Sequence, residues 1–293
     1  MSPDRADPPS IRLEGDGIRI HGLDFGPADA HGLALLLHGV GGNAWIWKPV
    51  AARLRDGLGG RVRVVALDGR DGGLTDHPTA GYEPERFAAD LVAVHDALGA
   101  GPLTIVGHSR GGWLAAWFAE RFPERVDRLV LVDPARLMFA SEADADRFYE
   151  WVRGGLGPFV DRDDALAWAC RRDPEADWNE DRTRSFLEGF VEQSDGTLVG
   201  RLPVHAVAAL RQARERVDSV GPRLADIACP TLLLVAQRQS PERVRDKLAY
   251  ADGLRDVRAL KIDGSHFLHT DAPGRVADEI VGFLGPGWPQ AND

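Results

Sequence analysis

The segment of residues 103–112 constrains the fold more than any other part of the chain. An apolar, β-type run leads into Gly107-His108-Ser109-Arg110-Gly111, and an amphipathic helical pattern begins directly afterwards. A serine between two glycines at a turn from strand to helix can hold a strained backbone that projects its hydroxyl from the sheet. The glycines are needed because a Cβ at either position would collide with the neighbouring strand or helix. The pattern predicts a nucleophilic Ser109 and therefore an enzyme.

Short apolar runs alternate with helix-length amphipathic segments along most of the 293 residues. The runs are rich in Val, Leu and Ile without strict alternation, which is typical of strands covered on both faces. Strands that alternate with helices indicate an α/β fold with a mostly parallel, doubly wound sheet. The predicted strands are 18–23, 33–37, 62–67, 103–106, 129–132, 232–235 and 257–262, and the predicted helices are 47–55, 84–98, 112–121, 242–251 and 272–283.

One stretch, residues 135–226, interrupts this alternation. It shows no convincing strand, but it carries helical patterns with many aromatic side chains, Trp151 among them. Because it is too long for a loop in a compact domain, we interpret it as a helical lid inserted over the strand ends. The chain then divides into a core of residues 11–134 and 227–285 and a lid of residues 135–226.

Composition argues against several partners and compartments. The formal net charge of −10 disfavours nucleic acid and anionic membrane surfaces. The first ten residues lack the apolar core of a secretory signal, and no run approaches the ~18 apolar residues of a membrane span. Cys170 and Cys229 match no metal-ligand spacing, so we expect two free, buried thiols in a reducing cytosol. The sequence predicts a cytoplasmic enzyme without metal or cofactor, and it leaves the oligomeric state open.

Four motifs resemble those of the α/β-hydrolase fold family, in particular its lid-bearing, single-domain members. Their order and spacing match the family over residues 11–284, apart from the insertion. In chain order they are His38-Gly39-Val40-Gly41-Gly42, Ala66-Leu67-Asp68-Gly69-Arg70, the turn at Ser109, and Gly264-Ser265-His266-Phe267. The resemblance implies the family's fold and a serine hydrolase-like chemistry.

The resemblance also implies a role for individual residues. Ser109 attacks an electrophilic carbon, and His266 is the base that a serine hydroxyl needs at neutral pH. The backbone N–H groups of Val40 and Arg110 resemble the family's oxyanion hole, which stabilises the charge that builds on a carbonyl oxygen. The residues expected to line the substrate pocket are Gly39, Trp47, His108, Trp151 and Phe267.

Other polar residues near these motifs receive structural interpretations. We expect His38 to brace the oxyanion loop, and the side chain of His108 to point away from that of Ser109. His269 is interpreted as structural or pocket-lining. Asp71 departs from the family, in which a Gly-His pair often follows the residue equivalent to Arg70, and the sequence offers no mechanism for this difference.

The acid that orients His266 is the least determined member of the site. In the family it usually follows the strand equivalent to 231–235, but Gln239 occupies that position here. A glutamine amide cannot stabilise an imidazolium by charge, and replacing the acid by an amide costs about 10⁴ in rate in a serine protease. Asp133, at the end of the preceding strand, is the leading substitute, although it also fits a turn before Pro134. An acid-free Ser–His dyad and Glu242 remain alternatives.

Three functions are compatible with these residues. The first is a cofactor-independent hydrolase for a small or medium hydrophobic substrate, such as a ring-containing ester, lactone, thioester or cleavable diketone. The second, motivated by the missing acid at position 239, is a non-hydrolytic biosynthetic step such as C–C bond formation, cyclisation or acyl transfer. The third is a non-catalytic ligand-binding protein, which the presence of Ser109, His266 and the glycines disfavours.

Overall fold

The computed structural model describes residues 7–99, 101, 103–135, 142–174, 176–219 and 221–285. Its strands are β1 (Ser10–Glu14), β2 (Arg19–Asp24), β3 (Gly32–Leu37), β4 (Val62–Leu67), β5 (Leu103–His108), β6 (Val126–Val132), β7 (Phe190–Glu192), β8 (Leu198–Gly200), β9 (Thr231–Ala236) and β10 (Val257–Ile262). Its α-helices are α1 (Lys48–Gly57), α2 (Pro84–Leu98), α3 (Arg110–Arg121), α4 (Glu142–Gly154), α5 (Arg162–Arg172), α6 (Glu180–Leu187), α7 (Val204–Ser219), α8 (Pro241–Leu248), α9 (Leu268–Asp271) and α10 (Pro273–Leu284).

Eight strands form one sheet in the order β1-β2-β4-β3-β5-β6-β9-β10. β2 pairs antiparallel with both β1 and β4, and all the other neighbours are parallel. The predicted mostly parallel, doubly wound sheet is therefore confirmed. Because parallel strands end at the same edge, the segments after β3, β5, β6, β9 and β10 meet there, which is where open α/β sheets bind ligands.

The sheet is covered by helices on both faces. Leu33, Leu35 and Leu37 of β3 join the apolar cluster that includes α2 and α3. Ala34 and Leu36, the intervening residues, join the cluster that includes α1 and α10. Successive side chains of a strand point to opposite faces, so a strand buried on both faces needs apolar residues at every position. This explains the unbroken apolar runs in the sequence.

Between β6 and β9 the chain forms the helices α4 to α7 and a separate two-stranded sheet, β7–β8. The expectation that this stretch contains no strand is wrong. Phe190 pairs with Gly200 in an antiparallel hairpin, and Gly196 takes a positive φ of 86° in its turn. Strands of three residues are too short to show a period of two, although the Asp195-Gly196 pair is a recognised hairpin signal.

The two cysteines are free, but only one of them is sheltered from solvent. Cys170 is exposed on α5, so the expectation of a buried thiol is wrong there, because this position faces outward on a surface helix. Cys229 is partly buried, and burial raises the pKa of its thiol to about 11. The cytoplasmic location stays a prediction. Within the described ranges, no helix has both the length and the apolar character that crossing a membrane requires.

Candidate active site

Ser109 lies at the junction of β5 and α3, with φ 53° and ψ −118°. A non-glycine residue in such a sparsely populated region costs about 1–3 kcal/mol and is found mainly at functional sites. The two flanking glycines make the turn possible. A Cβ on Gly107 would lie 2.2 Å from the carbonyl oxygen of Gly111, and a Cβ on Gly111 would lie 2.5 Å from that of His38. The chain thus forms the strained strand-to-helix turn that its glycine pattern predicts.

His266 lies in the loop between β10 and α9, and its ring contacts Asp133. Its Nδ1 donates a hydrogen bond of 2.5 Å to Asp133 Oδ2. The Asp133 side chain is fully buried, whereas that of His266 is 37 % exposed. Glu242, the other carboxylate considered, is exposed in the first turn of α8. The carboxylate bonded to the histidine is therefore the one at the end of β6.

Several further donors surround the Asp133 carboxylate. Gln239 Nε2 donates to both of its oxygens, at 3.0 and 3.2 Å, and the Ala236 N–H donates to Oδ1 at 3.0 Å. Lys247 Nζ donates to Oδ2, the oxygen that also accepts from His266. Burial opposes ionisation, but the hydrogen bonds and charges of His266 and Lys247 outweigh it and lower the pKa of Asp133. Gln239, at the position where the resembled family usually carries its acid, thus contacts the carboxylate at the end of the neighbouring strand.

Two buried histidines pack beside His266. His108 Nε2 donates to the main-chain oxygen of His266 at 2.8 Å, which links the segment that carries Ser109 to the loop that carries His266. The centroid of the His108 ring lies 4.6 Å from that of His266 and 4.2 Å from that of His269. Burial lowers the pKa of His108 well below its usual value and lowers that of His269 to about 3. Both rings are therefore neutral and add no charge beside His266.

The glycine-rich loop after β3 passes close to Ser109. His38 Nε2 accepts from the Gly69 N–H at 2.8 Å, so its proton is on Nδ1, which donates to the Gly39 oxygen at 2.6 Å. His38 therefore braces this loop, as predicted. A Cβ on Gly39 would lie 3.3 Å from the Cβ of Ser109, a tight contact, so the absence of a side chain at Gly39 eases the close approach of this loop. Val40 follows directly in this loop.

The first residue of α3, Arg110, has two separable features. Its backbone N–H has no intrahelical acceptor, because the first N–H groups of a helix never do. Its guanidinium donates to Asp71 Oδ2 at 2.7 Å and lies 4.1 Å from the Phe87 ring centroid. Both charged side chains are almost fully buried, at 4 % and 3 % exposure. Asp71, unexplained by the sequence, is thus the partner of the arginine that follows Ser109.

A cavity of about 230 Å³ adjoins the glycine-rich loop and the residue after His266, whereas Ser109 and His266 are not among the residues that line it. Val40, in the glycine-rich loop, and Phe267, next to His266, form part of its wall. Its other aromatic residues come from the segment between β6 and β9: Trp151, Trp168, Trp178, Phe186 and Phe190.

The residues predicted to line the pocket occupy different places. Trp151 and Phe267 line the cavity. Trp47 and His108 are instead buried in the interior, and the Trp47 ring packs 4.7 Å from that of His269. Gly39 contributes the main-chain approach to Ser109 rather than a cavity wall. Trp47 is buried because the short helix of residues 44–47 packs onto the sheet, a contact that spacing along the chain does not reveal.

Comparisons with known proteins agree with this architecture. A family model for the alpha/beta hydrolase fold matches residues 34–212, more than half of the chain. A 2-(acetamidomethylene)succinate hydrolase from Mesorhizobium japonicum is 28% identical, over 86% of this chain and 87% of that protein. Lipase LipV from Mycobacterium tuberculosis is 29% identical, over 92% of this chain and 99% of that protein. The solved structure of an E-2-(acetamidomethylene)succinate hydrolase superposes with a TM-score of 0.77 at 23% identity, and the match covers 94% of this chain and 98% of that one. This likeness concerns the fold.

Proposed function

Since the chain belongs to the α/β-hydrolase fold family and is an enzyme of that family, we propose that it is a cofactor-independent serine hydrolase. In this proposal Ser109 is the nucleophile, His266 the general base and Asp133 the acid. The observation that carries it is the hydrogen bond from His266 Nδ1 to the buried Asp133 carboxylate, beside a strained serine turn. The relatives named above are hydrolases, which supports the same reaction class.

The proposed reaction has two halves. The bond to Asp133 leaves His266 Nε2 unprotonated, so it takes the Ser109 proton while Oγ attacks the substrate carbonyl carbon. The imidazolium, stabilised by the Asp133 charge, then protonates the leaving group, and an acyl-enzyme remains. In the second half His266 deprotonates a water molecule that attacks the acyl carbon, and its proton returns to Ser109 as the acid product leaves.

The negative charge on the attacked oxygen requires preorganised donors. We assign the backbone N–H groups of Val40 and Arg110 to this role. Losing one such donor typically costs about 3 kcal/mol of barrier. The ion pair between Asp71 and the Arg110 side chain fixes the start of α3 and keeps the guanidinium buried. The position of the Arg110 N–H then depends little on solvent.

The size and the aromatic walls of the cavity support a proposal for the substrate class. An apolar cavity of about 150 Å³ accepts benzene, so about 230 Å³ holds one ring with a short substituent. Aromatic walls bind such groups by burying apolar area and by ring stacking. We therefore infer a small, ring-containing hydrophobic ester, lactone or thioester. We further propose that residues 135–226 act as a lid on a core of residues 11–134 and 227–285.

The non-hydrolytic alternative was motivated by an apparent lack of acid. The contact between Asp133 and His266 removes that motivation, because a buried carboxylate can stabilise the imidazolium of both reaction halves. Hydrolysis in ¹⁸O-water distinguishes the two reactions. We expect one ¹⁸O atom in the acid product, and a product without the label would contradict hydrolysis.

The proposal is tested with aryl esters whose acyl groups increase from acetate to phenylacetate. Ser109→Ala is expected to reduce kcat/KM by at least about 10³-fold, as the loss of a nucleophile does in serine proteases. Ser194→Ala, an exposed serine in the β7–β8 turn, is the matched control and is expected to match the wild type. Turnover by Ser109→Ala within tenfold of the wild type would remove Ser109 from the mechanism.

A further inference from the structure

Lys247, on α8, reaches into the proposed triad. Its Nζ donates to Asp133 Oδ2, the oxygen that His266 Nδ1 also bonds, and to the Asp133 main-chain oxygen at 3.1 Å. Its side chain is only 14 % exposed. A single oxygen of the proposed triad acid therefore accepts from the imidazole and from a charged ammonium, in addition to the Gln239 amide.

The placement of this ammonium is unlike that of an ordinary surface lysine. Lysine side chains usually bury their stem and keep the charged head in water, whereas Lys247 directs its head inward to Asp133. Burial lowers the pKa of Lys247, and the charge and hydrogen bond of Asp133 oppose this effect. The other two lysines differ: Lys48 lies near surface carboxylates, and Lys261 is exposed on β10.

An ammonium and an imidazolium that share one carboxylate oxygen repel each other. When His266 accepts a proton, part of the Asp133 charge that would stabilise it is already neutralised by Lys247. We propose that Lys247 is a positioning residue that tunes the base, so that His266 stays unprotonated and active at lower pH. This inference rests on the proposed function of Ser109, His266 and Asp133.

The other titratable and charged groups around His266 do not place an unpaired charge beside it. His108 and His269 are held neutral by burial. Arg182, over the Phe267 ring, is paired with both Asp173 and Asp271. Arg243, on the same helix as Lys247, is exposed to solvent. Within the described ranges, Lys247 is the one other charged side chain that hydrogen-bonds directly to the His266–Asp133 pair.

The expected size of the shift in the acid limb follows from the distance between the two donors. Two donors that share one acceptor lie within roughly 5 Å of each other. A unit charge at that distance, with an effective dielectric constant near 20, moves a protonation equilibrium by up to about two pH units. Relaxation and water entry reduce this value, so we expect a shift of about one pH unit when the charge is removed.

The test is the pH profile of kcat/KM, which reports the free enzyme, from pH 4 to 9 with an activated aryl ester. In Lys247→Met the acid limb is expected about one pH unit higher than in the wild type. Lys247→Arg keeps the charge, so its acid limb is expected at the same pH as in the wild type. Lys261→Met, the same substitution at an exposed lysine, is the matched control. Lys247→Gln is a second neutral variant in case Lys247→Met does not fold.

A structural role would give a different result. If Lys247 only held Asp133 in place, its neutral variants would lose the same factor in kcat/KM at every pH, with the acid limb unmoved, and the inference would be overturned. Labelling of Ser109 by a fluorophosphonate across the same pH range separates the two proposals. Wild-type protein that is never labelled refutes the proposed function, whereas labelling with coincident limbs refutes only the role of Lys247.

Discussion

The buried pair of Asp71 and Arg110 provides a test of how the start of α3 is held. Asp71→Ala removes the carboxylate that accepts from the guanidinium at 2.7 Å and leaves an arginine that is only 4 % exposed. The guanidinium then keeps only the Phe87 ring as a compensating contact among those described for it. A buried charge without its partner is costly, because its desolvation is no longer offset.

Breaking one partner of a buried ion pair costs about 3–5 kcal/mol, a large share of the total stability of about 5–15 kcal/mol. In a chain of 293 residues, that loss lowers Tm by roughly 5–8 °C. Replacing both residues with apolar ones removes the charge as well as its partner, and such replacements are often neutral. We therefore expect Asp71→Ala/Arg110→Met to recover most of the loss, with the methionine packed against Phe87.

The assay is urea unfolding, followed by tryptophan fluorescence, on the wild type, both single variants and the double variant. Calorimetry supplies Tm on the same samples. A loss below about 1 kcal/mol in Asp71→Ala, or a double variant no more stable than that single variant, would refute the reasoning. Fluorophosphonate labelling of Ser109 then shows whether the turn keeps its reactive conformation.

Two further predictions concern groups beside His266. Gln239→Glu places a carboxylate at the family's usual acid position, about 3 Å from the Asp133 carboxylate. Two like charges at this distance repel each other, so one of the two carboxylates must hold a proton. We expect kcat/KM at pH 7 to fall at least tenfold, and an equal or higher value would contradict this. His269 is neutral when folded, with its pKa lowered from 6.5 to about 3, so it binds a proton only on unfolding and stability falls as pH drops through that window. Between pH 6.5 and 5, the free energy of unfolding is expected to fall by about 2 kcal/mol less in His269→Phe than in the wild type. The same pH dependence of this free energy in both proteins, measured by urea unfolding, would contradict the prediction.

Much of the fold could be predicted from local pattern. The strands at 62–67 and 257–262 and the helix at 84–98 have the predicted bounds, because their signals are apolar runs and a proline-led helix start. The apolar pattern does not predict β1, because this edge strand is half-exposed and only five residues long. The pattern also does not predict the hairpin β7–β8, because its strands are shorter than the window in which periodicity is detectable.

The candidate site could be predicted where it depends on chain order and not where it depends on contacts between distant residues. Ser109 and His266 stand out by glycine spacing and position. Asp133 stayed one of several options, because only the structure shows which carboxylate reaches the imidazole 133 residues further along the chain. The same applies to Asp71 with Arg110 and to Lys247 with Asp133, which lie 39 and 114 residues apart. No periodic signal marks such pairs.

The central claim, that Asp133 supplies the charge behind His266, is tested most directly by Asp133→Asn. This variant keeps the shape of the side chain but removes the charge, and we expect kcat/KM to fall by about 10³–10⁴-fold. Glu242→Gln, an exposed carboxylate on α8, is the control and is expected to match the wild type. Activity of Asp133→Asn within tenfold of the wild type, in protein shown to be folded, would contradict the account.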